Sequence, residues 1–275
     1  MLAALIVVFR EVIEAGIIVG IVMAATASVP GRGRWIAGGI FAGFIGACLV
    51  ALFIQGITEA FAGMGQELFN AAVLGTAVVM LTWHNVWMSS HGRELATEAR
   101  SLGQSVASGS RTLLALSIVC GVAVLREGSE VVLFLYGILA SGGDSFASVF
   151  GGGIAGLLLG AAISALTYLG LLRIPGRYLF AATSGMIALL AAGLASQTVA
   201  FLQQADVLTA LSNALWDSSW LLSDSGMLGR VLHTLIGYND HPSGMQVIVY
   251  LAVLALTFVL MKAVAPARVL ASSSR

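Results

Sequence analysis

The sequence predicts an all-α, polytopic membrane protein with seven transmembrane helices, arranged as two inverted three-helix repeats plus one extra helix. Three observations carry that reading. Of 275 residues, 59% are hydrophobic and 9% charged, with a mean hydropathy of +0.98, whereas a soluble domain is about 25% charged. Seven apolar segments reach the ~20 residues a helix needs to cross the hydrocarbon core. One short charged pattern, Arg-Glu-x-x-Glu, occurs twice inside those segments.

The segments fall at 2–27, 35–57, 67–89, 112–140, 149–172, 178–203 and 246–265. The first is apolar from residue 2 to 9, with no basic region before it and no small-residue cleavage site after it. It therefore reads as a retained helix rather than a secretory signal. The 90–111 connection carries Arg93, Glu94, Glu98, Arg100 and Arg111 and is expected to be helical in part. The 204–245 connection holds Trp216, Trp220, Asp217 and Asp224, and its leucines and tryptophans suggest short amphipathic helices at the interface. Cys48 and Cys120 lie in apolar segments and read as packing residues rather than a disulfide or metal pair. With zero net charge there is no case for nucleic-acid binding.

Lysine and arginine set the orientation of membrane helices. With the N-terminus outside, the cytoplasmic side receives Arg32, Arg34, Arg93, Arg100, Arg111, Arg173, Arg177, Lys262, Arg268 and Arg275, and the outside only Arg230. The C-terminus is then cytoplasmic. The outer side collects Glu59, Glu67, Asp144, Asp206, Asp217, Asp224 and Asp240, a face that attracts cations.

A shift of 116 residues lays Arg10, Glu11 and Glu14 on Arg126, Glu127 and Glu130. A glycine-rich helix follows each motif helix, and the third helices begin with Leu68-Phe69 and Leu179-Phe180. The whole chain, 1–275, then reads as one permease domain: repeat 1 over about 1–89, repeat 2 over about 112–203, an outer loop over 204–245 and helix seven over 246–265. Three helices per unit is an odd number, so the second unit is inverted. Inverted repeats around a midplane site are typical of secondary transporters.

Residues three and four apart share a helix face. Glu11 and Glu14 therefore point one way, as do Glu127 and Glu130, with Arg10 and Arg126 a turn from the second glutamate of each motif. A charge near the bilayer centre costs several kcal/mol, and six of them in matched triplets call for a functional reason. Two purely structural ion-pair locks would need one glutamate per arginine, and here each motif has a surplus carboxylate. Four carboxylates suit a hard cation such as iron, manganese, calcium or magnesium. Glu59 and Glu67 are candidates for an outer approach site, or simply solvated loop acids. His84, next to Asn85 in the third helix, is a possible secondary ligand, although a lone histidine in a bundle is more often hydrogen-bonded structure. His233, His241 and Asp240 are weaker candidates for a peripheral site.

The doubled motif in the first and fourth of seven helices resembles the oxidase-dependent iron transporter family, which includes fungal high-affinity iron permeases and bacterial ferrous-iron permeases. The resemblance extends to Trp87-Met88, His91 and Arg93 after helix three and to Gly237, Tyr238 and Pro242 before helix seven. It implies that Glu11, Glu14, Glu127 and Glu130 are iron ligands of a transport path, with Arg10 and Arg126 as essential partners. It further implies a place in the cell inner membrane, iron as substrate with no resident cofactor, and a periplasmic iron-binding or oxidase partner. Fungal members carry an outer Asp-x-x-Glu; the nearest stretch here, Asp217-Ser218-Ser219-Trp220, lacks the glutamate.

Two other readings remain open. One is a permease for another hard divalent cation, manganese or lead, which the same ligands would suit. The other is a membrane-embedded carboxylate enzyme, but such sites use Glu-x-x-His and both motifs place glutamate there. The reading is therefore a transporter and not an enzyme.

Overall fold

A computed structural model describes residues 1–60, 65–142, 145–171, 176–224 and 226–264. The chain forms eight helices there: α1 (Leu2–Ala25), α2 (Arg32–Ala60), α3 (Gln66–Ala107), α4 (Leu114–Ala140), α5 (Phe146–Tyr168), α6 (Gly176–Gln204), α7 (Met227–Ile236) and α8 (Gly244–Val264). Helices dominate because lipid offers the backbone no hydrogen-bond partners, so an apolar spanning segment must satisfy its own amides. Among the described residues, five helices are long and apolar enough to cross a membrane: Arg32–Gly56, Gln66–Met88, Phe146–Tyr168, Ala181–Gln204 and Gly244–Val264. The helices α1 and α4, of 24 and 27 residues, each carry three charges at their midpoints. Those charges are what separate them from the other five.

One expectation holds and one is corrected. The connection after the third apolar segment is helical over most of its length, as a continuation of α3 unbroken to Ala107. The 42 residues of α3 make a rod about 63 Å long at ~1.5 Å per residue. Its end is held by packing: Ala99 and Val106 are buried in one cluster with Val22 of α1 and Leu116 and Cys120 of α4. In the outer loop, the stretch bearing Trp216 and Trp220 is built of turns, and helix forms only in α7. That helix ends on Gly237 at φ 69°, a left-handed position suited to glycine. Gly237 also packs on Gly193 of α6 so closely that a Cβ on either would strike the other's backbone. α8 then starts with a reciprocal cap: Ser243 N–H donates to Gln246 Oε1 at 2.8 Å, and Gln246 N–H to Ser243 Oγ at 3.3 Å.

The packing is crossed between the two halves: α1 lies chiefly against α5, and α4 against α2. A Cβ on Gly152 would meet the carbonyl of Met1, and one on Gly156 the carbonyl of Leu5 at 2.4 Å. On the other side, a Cβ on Gly39 would meet the carbonyl of Ser117, and one on Gly43 the carbonyl of Gly121, also at 2.4 Å. The partners Met1 and Ser117, like Leu5 and Gly121, are 116 residues apart. The register rises together in both pairs, so α1 runs parallel to α5 and α2 parallel to α4. Small residues at these crossings let backbones approach closely, which drives helix association in lipid. Cys120 is buried and Cys48 exposed, and neither is in a disulfide.

Candidate functional site

α1, α3 and α4 meet at the midpoints of the two motif helices. In α1, Arg10, Glu11 and Glu14 are almost completely buried, at 2%, 0% and 2% exposure. Arg10 Nη1 donates to Glu11 Oε1 at 3.0 Å, and its Nη2 lies 2.9 Å from Glu14 Oε1. One guanidinium thus clamps both carboxylates of its own motif. The helix geometry makes this possible, since Glu14 stands one turn beyond Arg10.

The α4 motif is arranged more loosely. Arg126 Nε lies 3.4 Å from Glu130 Oε1 and 3.8 Å from Glu127 Oε1, with the Arg126 side chain 34% exposed. Glu127 is buried and Glu130 nearly so. Arg126 rests with Cζ 4.2 Å above the ring of Trp87 on α3.

His84 of α3 joins the two motifs. Its Nδ1 is paired with Glu130 Oε2, and its Nε2 lies 3.5 Å from both Glu11 Oε2 and Glu14 Oε2. Asn85 beside it is also buried and donates to the Ser184 carbonyl of α6 at 3.0 Å, fixing α3 in rotation. Ligand atoms of Glu11, His84, Glu127 and Glu130 all lie within 4.8 Å of one another. Glu14 flanks this group through His84 and Arg10. Three of the four motif glutamates lie in this group; Glu14, Arg10 and Arg126 border it through their ion pairs.

The chemistry of this cluster favours a cation. Glu11 Oε2, Glu127 Oε2 and His84 Nε2 are buried without a hydrogen-bond partner. Buried polar atoms left in that condition are costly, and a metal ion held between them would satisfy all three. Carboxylate and imidazole together suit iron and other first-row divalent ions. Four carboxylates against two guanidinium groups leave two surplus negative charges, which one divalent ion would neutralise. An apolar groove of about 360 Å³ between α1, α2, α4 and α5 has Glu11 and Glu127 in its lining. Its walls include Phe44, Ala47, Phe150 and Leu157, and keep that side of the site dry.

The other candidates fall elsewhere. Glu67 is exposed in the first turn of α3, and the side chain of Glu59 lies outside the described residues. His233 bonds Gln197 at 3.0 Å and the Tyr238 carbonyl at 2.7 Å, a structural role. His241 pairs with Asp240 and Asp217 at the loop surface. The prominence of His84 is the principal departure from the sequence reading. The signal for it was an ionisable side chain inside an apolar helix, which inside a membrane is a functional pointer by default.

Comparison with known proteins bears on this geometry. The model of the iron permease FTR1 family matches residues 1–274. The chain is similar to the ferrous iron permease EfeU of Escherichia coli O6:H1, with 30% identity over all of this chain and 99% of the relative. It is 30% identical to EfeU of Shigella sonnei over 91% of each chain. With EfeU of Yersinia pestis it shares 29% identity over 91% of this chain and 89% of the relative. No solved structure matches the chain.

Proposed function

The chain belongs to the FTR1 iron permease family, and from that premise we propose that it imports iron ions across the cytoplasmic membrane through the cluster of Glu11, Glu14, Glu127, Glu130 and His84. The observation that carries the reading is the convergence of Glu11, Glu127, Glu130 and His84 within 4.8 Å. These side chains come from three different helices, at the midpoints of two of them. Convergence of this kind is what a single ion's ligand sphere requires.

The seven long helices are read as seven spans, with α7 lying outside them. Alternate directions of α1 to α6 place Arg10 and Arg126 on helices of opposite sense. The matched crossings of Gly156 on Leu5 and Gly43 on Gly121 support two inverted three-helix units, with α8 outside the symmetry. Such units can rock about a central site to expose it to one side and then the other. The outer loop supplies acidic groups, and the N-terminus lies outside. A cation is drawn to that face, passes to the glutamates and leaves inward, after which Arg126 returns to compensate the vacated carboxylates beside the fixed charge of Arg10. An oxidase or periplasmic iron-binding partner would deliver the ion to the outer loop.

The test is uptake of radioactive iron into proteoliposomes holding only this chain, with each oxidation state offered and manganese or lead as competitors. Saturable iron uptake that tenfold excess manganese fails to suppress supports the iron reading. Uptake of manganese in preference to iron would replace it with the other hard-cation reading.

A further inference from the structure

Arg10 and Arg126 hold the same place in the two motifs but behave differently. Arg10 is sealed, 2% exposed and ion-paired with both of its glutamates. Arg126 is 34% exposed, its contacts to Glu127 and Glu130 are longer, and its guanidinium lies over Trp87. Trp87 stands three residues beyond His84 on α3. It stacks in turn on His91, with ring centroids 4.9 Å apart and planes within 9°. His84, Trp87, His91, Glu94 and Glu98 follow a three-four spacing, which sets them on one stripe of α3. That stripe runs from the cluster toward the helix end assigned to the cytoplasm. Glu94 and Glu98 at its far end are exposed.

We propose that Arg126 is the inner gate of the iron path and that Trp87 is its positioning residue, holding the guanidinium where it can swing between the glutamates and the cytoplasmic stripe of α3. The inference rests on the permease reading above and names the moving part of that same site.

The physics is a competition between two attractors. With the cluster empty of metal, Arg126 is drawn to Glu127 and Glu130 and covers the cytoplasmic approach to them. A divalent ion among the glutamates cancels that attraction and repels the guanidinium. The aromatic face of Trp87, over which the guanidinium already lies at 4.2 Å, then holds the cation without needing a carboxylate. Without the ring, a displaced Arg126 would have only lipid or water, and gate opening would slow. Arg10, clamped and buried, stays a fixed counter-ion. The two halves thus divide the work: α1 retains the ion and α4 releases it.

The experiment compares Trp87→Leu, Trp87→Met and Trp87→Phe in proteoliposome uptake of Fe(II) and in equilibrium Fe(II) binding to the detergent-purified protein. The expected result for the two ring-free variants is a maximal uptake rate about tenfold lower, with binding affinity and half-saturation within twofold of the parent. Trp87→Phe, which keeps a π face, should stay within threefold of the parent rate. Two ring-free variants are used so that either can decide if the other fails to fold. Parent-like rates in a ring-free variant would overturn the proposal. So would affinity falling together with rate, or a phenylalanine variant as slow as the leucine one. Absence of Fe(II) binding by the parent protein would instead count against the iron site itself.

Discussion

His84 on α3 pairs through Nδ1 with the carboxylate of Glu130 on α4, while its Nε2 faces Glu11 and Glu14 on α1 at 3.5 Å. One imidazole thus bridges the two motif helices. His84→Gln keeps polarity but cannot reach both helices with ring nitrogens. We expect iron affinity to fall at least tenfold, about 1.4 kcal/mol, measured by equilibrium binding in detergent. Affinity within twofold of the parent would show that the histidine only braces the bundle.

The glutamates should be unequal in degree but alike in kind. Glu14→Gln and Glu130→Gln each remove one charge with little change of shape, and each should lower iron uptake at least ~10-fold. Arg10→Lys should also impair uptake, because lysine cannot bond both Glu11 and Glu14 with a planar fork. Normal uptake by both glutamine variants at matched protein levels would defeat the site assignment.

The helix crossings give a stability test. At Gly156 and Gly43 a Cβ would lie 2.4 Å from a backbone carbonyl of the facing helix. Backbone cannot move aside as a flexible side chain can. Gly156→Val and Gly43→Val should each destabilise the protein by about 1–3 kcal/mol through overpacking. Gly38→Val, where the space is open, should have little effect. Thermal unfolding in detergent reads the difference, and equal melting of all three would refute the crossed packing.

A pH dependence is expected in the outer loop. His241 Nδ1 lies 2.7 Å from Asp240 Oδ1, and its Nε2 3.1 Å from Asp217 Oδ1. The bond to Asp240, reinforced by Asp217, raises the histidine above its ordinary 6.5. Asp217 is held below its ordinary 3.8 by the hydroxyl and amide of Ser219 and then by His241, and Asp240 by His241. A raised base contributes stability that is complete below pH 6.5 and is lost as pH rises through the raised value. A lowered acid contributes stability above pH 3.8 that is lost as pH falls through the lowered value. The His241 contacts to Asp217 and Asp240 are therefore firmest between pH 3.8 and 6.5, and loosen on the alkaline side first. Hydrogen exchange of residues 214–243 should quicken with rising pH beyond the trend for free amides. His241→Asn should abolish that excess.

Orientation can be read by labelling. Single cysteines at Ser219 and Ser101, in a background lacking Cys48 and Cys120, should react with an impermeant maleimide from opposite sides. Ser219→Cys is expected to label from outside and Ser101→Cys only after permeabilisation. The reverse pattern would invert the proposed direction of transport.

Much of this protein was legible without coordinates. Apolar length located all seven long helices to within a few residues at most ends, because the bilayer leaves the backbone no other economical structure. Charge cost singled out Arg10, Glu11, Glu14, Arg126, Glu127 and Glu130, since evolution has no bland reason to place six charges inside such segments. The full length of α3 was not legible, because residues 90–107 are polar enough to read as a connection. They are held helical by burying Ala99 and Val106 against α1 and α4, which is tertiary packing and leaves little trace in local sequence.

Sequence by itself determined the class of the protein and which charges it carries inside its apolar helices, because hydration energy acts on each residue wherever it sits along the chain. Only the tertiary structure decided that His84 stands between the motifs and that Arg10 is sealed while Arg126 is not. Those outcomes depend on how α3 is rotated and tilted against α1 and α4. That rotation is set by distant contacts such as Asn85 to Ser184, 99 residues apart, and no local pattern encodes it.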